Sequence, residues 1–354
     1  MKAKDCKIDT DFLRSLNILM VGNFRNPNHY IEIQIETLAK RIESFGVSVR
    51  RTTMAVPKML KIWEINKEIY KCRKDINLIH VQTHSNWNFW TAVFSVTQGL
   101  FWGVPVVVMY YGGGINEFMK KWGFVALPVF RSMSAVVVAS EFVGGALRKY
   151  GLNPFVIPHL LEKERWPFRF RTEALPRFLW VRTFHPTYNP IMAIRAFQLI
   201  QREVSEASLT LVGTGEMELE VRSMVNDLRL RNVLFMKHLS HEELVEAYDQ
   251  NDIFLNTSSF DNQPVTILEA LASGIPIIST NAGGIPYVFE DAEIGYLVPV
   301  NDHEAMAEKA LTLLKNPQTV RHMSERSQTF TQRFCWPSVI SLWCRLYKKV
   351  LKSD

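Results

Sequence analysis

Little in this sequence points to metal or redox chemistry. It holds four cysteines, Cys6, Cys72, Cys335 and Cys344. None forms a CxxC pair or joins a histidine at zinc-ligand spacing, which excludes a zinc module or a dithiol redox centre. Reduced thiols of a cytosolic protein are the expectation. No DxD-type metal motif is apparent at a candidate site, so no metal is expected. Charge of one sign is also scarce: 41 basic against 35 acidic residues leave +6. That suits an anionic ligand or membrane surface and falls short of a nucleic-acid-binding footprint, so no nucleic-acid partner is expected. Repeats and low-complexity tracts are missing. The first twenty or so residues have lysines but no cleavage site, and read as a disordered lead into a buried strand.

One long uncharged run, at residues 89–111, needs its own account. A membrane span needs about 20 apolar residues, but Gln98, Gly99, Gly103 and Pro105 interrupt this one. A buried helix over 90–101 followed by a parallel strand over 104–110 accounts for it, since such strands read as unbroken apolar runs.

With 354 residues, 47% of them apolar, the chain is long enough for two domains, each with its own core. Strand-like runs at 17–22, 47–52, 78–81, 104–110, 135–139 and 154–157 alternate with helices. One example is 33–45, where Ile35, Leu38, Ile42 and Phe45 share a face. The pattern pauses over 158–176 and restarts at 177–182, 208–213, 233–237, 252–256 and 275–280. This is an α/β pattern of two doubly wound parallel sheets. The expected domains are 1–170 and 171–330, with a C-terminal helix over 331–354. Ser240 and Glu243 form a capping box, and Gly274 stands where the helix over 265–273 should end.

The segment Ser258-Ser-Phe-Asp261-Asn262-Gln263-Pro264-Val265-Thr266-Ile-Leu-Glu269-Ala-Leu-Ala-Ser-Gly274 carries most of the chemistry. A strand ends, a polar loop turns, and a helix begins near Pro264 or Val265, where proline is tolerated. The free N–H groups of Val265 and Thr266 then face the ligand crevice beyond the strand ends, where the helix dipole favours phosphate. Glu269 lies one turn in, on apolar surroundings. Two readings are open from spacing alone: ribose hydroxyls partner Glu269, or a nearby Lys or Arg does and Asp261 merely caps the turn.

These residues, with Ala282-Gly283-Gly284 and Gly295-Tyr-Leu-Val-Pro-Val-Asn-Asp302, resemble the family 4 retaining glycosyltransferases of the GT-B fold. The resemblance is good over about 135–350 and weak over the first hundred residues. It implies two Rossmann-like domains facing across a cleft, and a hexosyltransferase acting with retention in polysaccharide or glycolipid synthesis. The implied partners are a UDP-linked nucleotide sugar, as co-substrate and not cofactor, and a carbohydrate or lipid-linked acceptor. The implied localisation is cytoplasmic, with a peripheral membrane association at the inner surface also open. By the resemblance Glu269 binds the ribose, Asp261 stands one methylene short of the family's sugar-contacting Glu, and Asn262 to Thr266 serve sugar and phosphates. Arg182 is retained for the diphosphate, with His185 as a possible helper because Tyr188 replaces a family Lys. Arg182, Asp261 and Glu269 are the expected catalytic set.

Three further donor contacts follow from the resemblance. Gly213 and Gly215 lie in a turn at the mouth of the donor cleft, where the dinucleotide fingerprint is broken by Glu218. Lys237 and His238 align with the segment that meets the nucleobase, though His238 also suits a strand-end surface histidine. Gly112, Gly113 and Gly114 follow an apolar strand and let backbone approach the donor sugar; a turn without ligand is the other reading. Arg25 and His29, in the first strand-to-helix turn, are placed toward the acceptor. A helix around which Lys58, Lys61, Lys67, Lys71, Arg73 and Lys74 cluster against Glu64 and Glu68, with Met59, Ile62, Trp63, Ile65 and Ile69 as an apolar side, fits either an anionic bilayer or simple packing on its own domain. The competing function class is a non-catalytic donor-binding or scaffold protein of the same fold.

Overall fold

Val, Ile, Leu and Phe runs form the strands, because stiff and bulky side chains pack well on a pleated, buried surface. The computed structural model describes residues 8–24, 34–53 and 58–352. It divides into a unit of Met1–Leu160 with Trp336–Asp354, and a unit of Leu161–Cys335.

The first unit is built on β1 (Asn17–Phe24), β2 (Ser48–Thr53), β3 (Leu78–Thr83), β4 (Val106–Tyr110), β5 (Ala135–Val138) and β6 (Phe155–Val156). All pairings are parallel, in the order β2-β1-β3-β4-β5-β6. β3, β4 and β5 are buried along their whole length. Both faces are covered. One carries Ile65, Ile69, Phe89, Ala92, Phe118 and Phe130; the other carries Ile35, Leu38, Ile42 and the C-terminal helix Trp336–Leu351. That helix docks through Trp343, whose ring lies 4.8 Å from His80, and through the Tyr347 hydroxyl, 2.8 Å from His80 Nδ1.

The uncharged run at 89–111 resolves into the helix Phe89–Trp102 and β4, joined through Gly103 at φ +69°. Fourteen residues of helix span only about 21 Å at 1.5 Å each. No described helix is long and apolar enough to cross a membrane.

The second unit is built on β7 (Arg177–Val181), β8 (Ser208–Val212), β9 (Val233–Met236), β10 (Ile253–Asn256), β11 (Ile277–Thr280) and β12 (Gly295–Val298). They too are all parallel, in the order β12-β11-β10-β7-β8-β9. The order reverses between β7 and β10, so the loops after these two strands flank the crevice where open α/β sheets bind ligands. β12 was not among the expected strands: its four residues, with one glycine, lack a β-branched run.

The boundary between the units falls at Leu161 and not near residue 170. Leu161 bridges to Cys335 and donates its N–H to the Phe334 carbonyl, tying the incoming and outgoing chain together. The pattern pause at 158–176 hides a buried ionic centre. Arg171 is 1% exposed and reaches the carbonyls of Ser273, Tyr248 and Asn251 as well as Asp252. Arg169 and Arg177 join the same Asp252 carboxylate.

Candidate functional site

Arg182 follows β7 directly and Asp261 lies in the loop after β10, so both stand at the strand-order reversal. Arg182 Nη2 is 2.7 Å from Asp261 Oδ2, and the pair is mostly shielded from water. Asp261 Oδ1 accepts the N–H of Asn262 at 2.7 Å. Asp261 therefore caps its own turn and holds the cation together. Tyr188 presents its ring to the guanidinium at 5.0 Å, a weaker substitute for a second cation than a lysine would be, since it adds no positive charge.

The loop is held in shape by glycines and buried hydroxyls. A Cβ at Gly283 would stand 2.2 Å from the Asp261 carbonyl, and one at Gly284 would stand 2.0 Å from that of Asn262. The Gly-Gly turn is thus a close backbone contact that positions Asp261. Thr257 Oγ1 accepts from Trp180 Nε1 and donates to the Tyr188 carbonyl. Thr280 Oγ1 donates to the Ser258 carbonyl. Asn262 and Gln263 are buried side chains of this loop.

Pro264 is the residue before the helix Val265–Ala272, and not its first turn. Its ψ of 118° is extended, as an N-cap requires. The first N–H groups, from Val265 and Thr266, have no intrahelical acceptor. Arg182 Nε and Thr266 Oγ1 are buried without a hydrogen-bond partner. Leaving such a donor unpaired costs about 1–3 kcal/mol.

Glu269 lies in this helix and accepts from the Tyr248 hydroxyl at 2.9 Å. Burial pushes its carboxyl up to about 7, opposed by the Tyr248 hydrogen bond and by the charges of Arg182 and Arg165. Tyr248 is itself fully buried, and burial raises its hydroxyl well above the ordinary value. Of the two readings open in the sequence, the one requiring a bonded Lys or Arg gives way to a neutral donor from another helix. Tyr248 had no local signal, because it sits on the helix His241–Gln250, remote in sequence from Glu269.

The glycines of the fingerprint-like turn serve backbone contact. Gly213 has φ +142°, and a Cβ there would lie 1.9 Å from the Arg182 carbonyl. A Cβ at Gly215 would lie 2.3 Å from that of Phe184. The turn therefore fixes the backbone that carries Arg182. His185 caps the short turn Pro186–Tyr188 by accepting the Thr187 N–H at its Nδ1. Lys237 pairs with Glu218 at 2.5 Å, and Arg222 shares that carboxylate, holding Glu218 below the usual carboxylate range. His238 is exposed, with φ +49°.

In the first unit, Gly112 stands where a Cβ would lie 2.4 Å from the Tyr110 hydroxyl and 2.6 Å from Ser85 Oγ. Those two oxygens are hydrogen-bonded at 2.6 Å. Gly113 and Gly114 are partly exposed, and Gly114 precedes the helix Ile115–Ser132. Arg25 and His29 lie outside the described residues. In the basic helix, Lys58–Cys72, Ile65 and Ile69 enter the core, Lys71 pairs with Glu68 at 2.9 Å, and Lys67 lies over the exposed Trp63 ring. Among the described residues no His, Cys, Asp and Glu cluster could hold a metal ion.

Residues 162–330 match the family model of glycosyl transferases group 1. N-acetyl-alpha-D-glucosaminyl L-malate synthase of Bacillus anthracis is 32% identical over 163 residues, 46% of this chain and 42% of the relative. Poly(glycerol-phosphate) alpha-glucosyltransferase of Bacillus subtilis is 26% identical over 156 residues, 44% of this chain and 23% of the relative. The chain thus spans less than half the length of these curated relatives. Among solved structures, sucrose-phosphate synthase from Thermosynechococcus elongatus superposes with a TM-score of 0.80 at 16% identity, covering 96% of this chain and all of that one. Anabaena HepE in complex with UDP-glucose gives 0.72 at 17% identity, covering 93% and 98%. These likenesses show the fold, an α/β architecture of the GT-B kind with two parallel six-stranded sheets.

Proposed function

We propose that this chain is a glycosyltransferase that moves a hexose from a UDP-linked donor to an acceptor hydroxyl, with retention, in polysaccharide or glycolipid synthesis. The observation that carries the reading is the grouping of Arg182, Asp261, the Val265 and Thr266 amides and Glu269 around the strand-order reversal of the second unit. The match of residues 162–330 to glycosyl transferases group 1 supports it, as does the likeness to HepE, which was solved in complex with UDP-glucose.

In this reading the Glu269 carboxylate accepts the ribose hydroxyls, and Tyr248 orients it. The Val265 and Thr266 N–H groups and Arg182 receive the diphosphate, whose charge grows as the glycosidic bond breaks. Fixed donors aimed at developing charge stabilise such a transition state most effectively. Asp261, held at the guanidinium, faces the sugar. A leaving-group phosphate oxygen takes the acceptor proton on the same face, so the pair of carboxylates that a glycosidase requires is not needed. No cofactor or metal enters the mechanism.

A second reading, a donor-binding protein without turnover, draws on one observation: the 2.7 Å pairing of Arg182 with Asp261 neutralises the cation, while Tyr188 adds none. One experiment separates the two. The pure chain is incubated with a panel of nucleotide sugars and cell-envelope lipid extract, and free nucleoside diphosphate is measured. Release from one donor, lost in Glu269→Ala and Arg182→Ala, supports transfer. Donor binding without release supports the second reading, and absence of binding overturns both.

A further inference from the structure

The buried ionic centre of the second unit lies at the carbonyl ends of two helices that carry site residues. The helix His241–Gln250 bears Tyr248, and the helix Val265–Ala272 bears Glu269. The last four carbonyls of a helix have no partner within it. Here one guanidinium serves both helix ends. Arg171 Nη2 donates to the carbonyl of Tyr248 at 3.0 Å and to that of Asn251 at 2.7 Å, while Nη1 donates to the carbonyl of Ser273 at 2.5 Å. Asn251 and Ser273 are the C-caps of the two helices.

These contacts close a ring. Arg171 holds the Tyr248 carbonyl, and the Tyr248 hydroxyl donates to Glu269 at 2.9 Å. The Glu269 carbonyl accepts the Ser273 N–H at 2.9 Å, and the Ser273 carbonyl returns to Arg171. Arg171, Tyr248 and Ser273 are all buried, so a bond lost there is not replaced by bulk water. Asp252, directly before β10, balances the charge at Arg171 Nε, and the Arg171 N–H is anchored on Ser324 Oγ at 3.0 Å. A planar guanidinium with five donors can serve three carbonyls and a carboxylate at once; an ammonium with three donors cannot.

We propose that Arg171 is a positioning residue for the candidate site: by pinning the carbonyl ends of both helices it sets the separation at which the Tyr248 hydroxyl meets Glu269. Its bearing on donor binding rests on the transferase reading; its hold on the Tyr248–Glu269 pair does not. The charged and titratable groups facing Glu269 are Tyr248, Arg182 directly after β7, and Arg165 of the short turn Lys163–Arg165. Of these, the Tyr248 hydrogen bond does most to hold the carboxyl down against burial, and it is the one that Arg171 controls. Loss of that bond therefore moves the Glu269 titration upward.

The test follows the Glu269 carboxyl by NMR in the full chain without ligand, its signal assigned by its loss in Glu269→Gln. Arg171→Lys keeps the charge but cannot span both helix ends, so a movement of the titration reports geometry. The titration should rise by about one pH unit, the equivalent of one hydrogen bond to a charged group. Tyr248→Phe should give the same rise, and the double variant little more. Arg177→Lys disturbs the same Asp252 carboxylate from β7 and should leave the titration in place. Should Arg171→Lys not fold, Ser324→Ala removes the backbone anchor of Arg171 and should move the titration in the same direction. UDP affinity at pH 7 should fall about fivefold in Arg171→Lys, following the ionised fraction of Glu269. A wild type that binds no UDP would count against the transferase reading alone, because the titration is read without ligand. A titration unmoved in folded Arg171→Lys or Ser324→Ala, an equal rise in Arg177→Lys, or full additivity with Tyr248→Phe overturns the proposal.

Discussion

Arg182 and Asp261 hold each other at 2.7 Å across the point where the second sheet reverses its strand order. A diphosphate arriving there competes with a carboxylate for the same guanidinium. Replacing Asp261 with asparagine removes the competitor and leaves the turn able to form. UDP affinity should rise about fivefold, as expected for losing one partly shielded ion pair, while sugar transfer falls. Titration calorimetry beside a turnover assay checks both. An unchanged affinity would mean that Arg182 does not meet the ligand.

Under the proposed function, donor binding should depend on pH through Glu269. Its carboxyl sits near 7 because of burial, and ribose hydroxyls donate to the ionised form. UDP binding should therefore tighten as pH rises from 6 to 8, with a proton released on binding. In Glu269→Gln the affinity is lower and the slope flat.

The same group has the opposite effect on stability. A folded-state value above the unfolded one, near 4.5, means that the protonated carboxyl favours the fold. Its contribution is full below about 4.5 and is lost as pH rises through about 7. Thermal unfolding without ligand should show wild type losing stability over that window relative to Glu269→Gln.

His80 acts in the other direction. Burial depresses its imidazole to about 3, and its Nδ1 is bonded to the Tyr347 hydroxyl of the C-terminal helix. The neutral ring favours the fold above about 6.5, and that contribution is lost as pH falls toward 3. Tyr347→Phe should cost about 1–3 kcal/mol by leaving a buried ring nitrogen unpaired, measured by urea unfolding at pH 7.

Gly213→Ala tests the fingerprint-like turn. A methyl group 1.9 Å from the Arg182 carbonyl, at φ +142°, forces the Arg182 backbone to move. UDP binding should fall at least tenfold while the circular dichroism of the helices is kept; retained binding would detach the turn from the site.

The sequence revealed the two parallel sheets well, because β-branched runs and amphipathic helices alternate at close to their structural periods. It also placed Arg182 at a strand end, Asp261 in the loop after a strand and Glu269 one turn into the helix that follows. What it hid depends on contacts between distant segments. Tyr248 reaches Glu269 from another helix, and Arg171 gathers carbonyls from two distant segments, so neither leaves a periodic trace. The segment around Arg171 looked like a linker because its charges and prolines resemble solvent-facing loop. Gly213 and Gly215 read as ligand glycines, yet each lies against a neighbouring carbonyl. Spacing alone cannot separate those two demands.

The most direct test of the central claim, that the donor nucleotide sits between Arg182 and Glu269, is calorimetric titration of UDP into the wild type, Arg182→Ala and Glu269→Ala at pH 8. Binding by the wild type, weakened about a hundredfold in each variant with unfolding temperatures kept, is the predicted result. Equal affinity in all three folded proteins would contradict it.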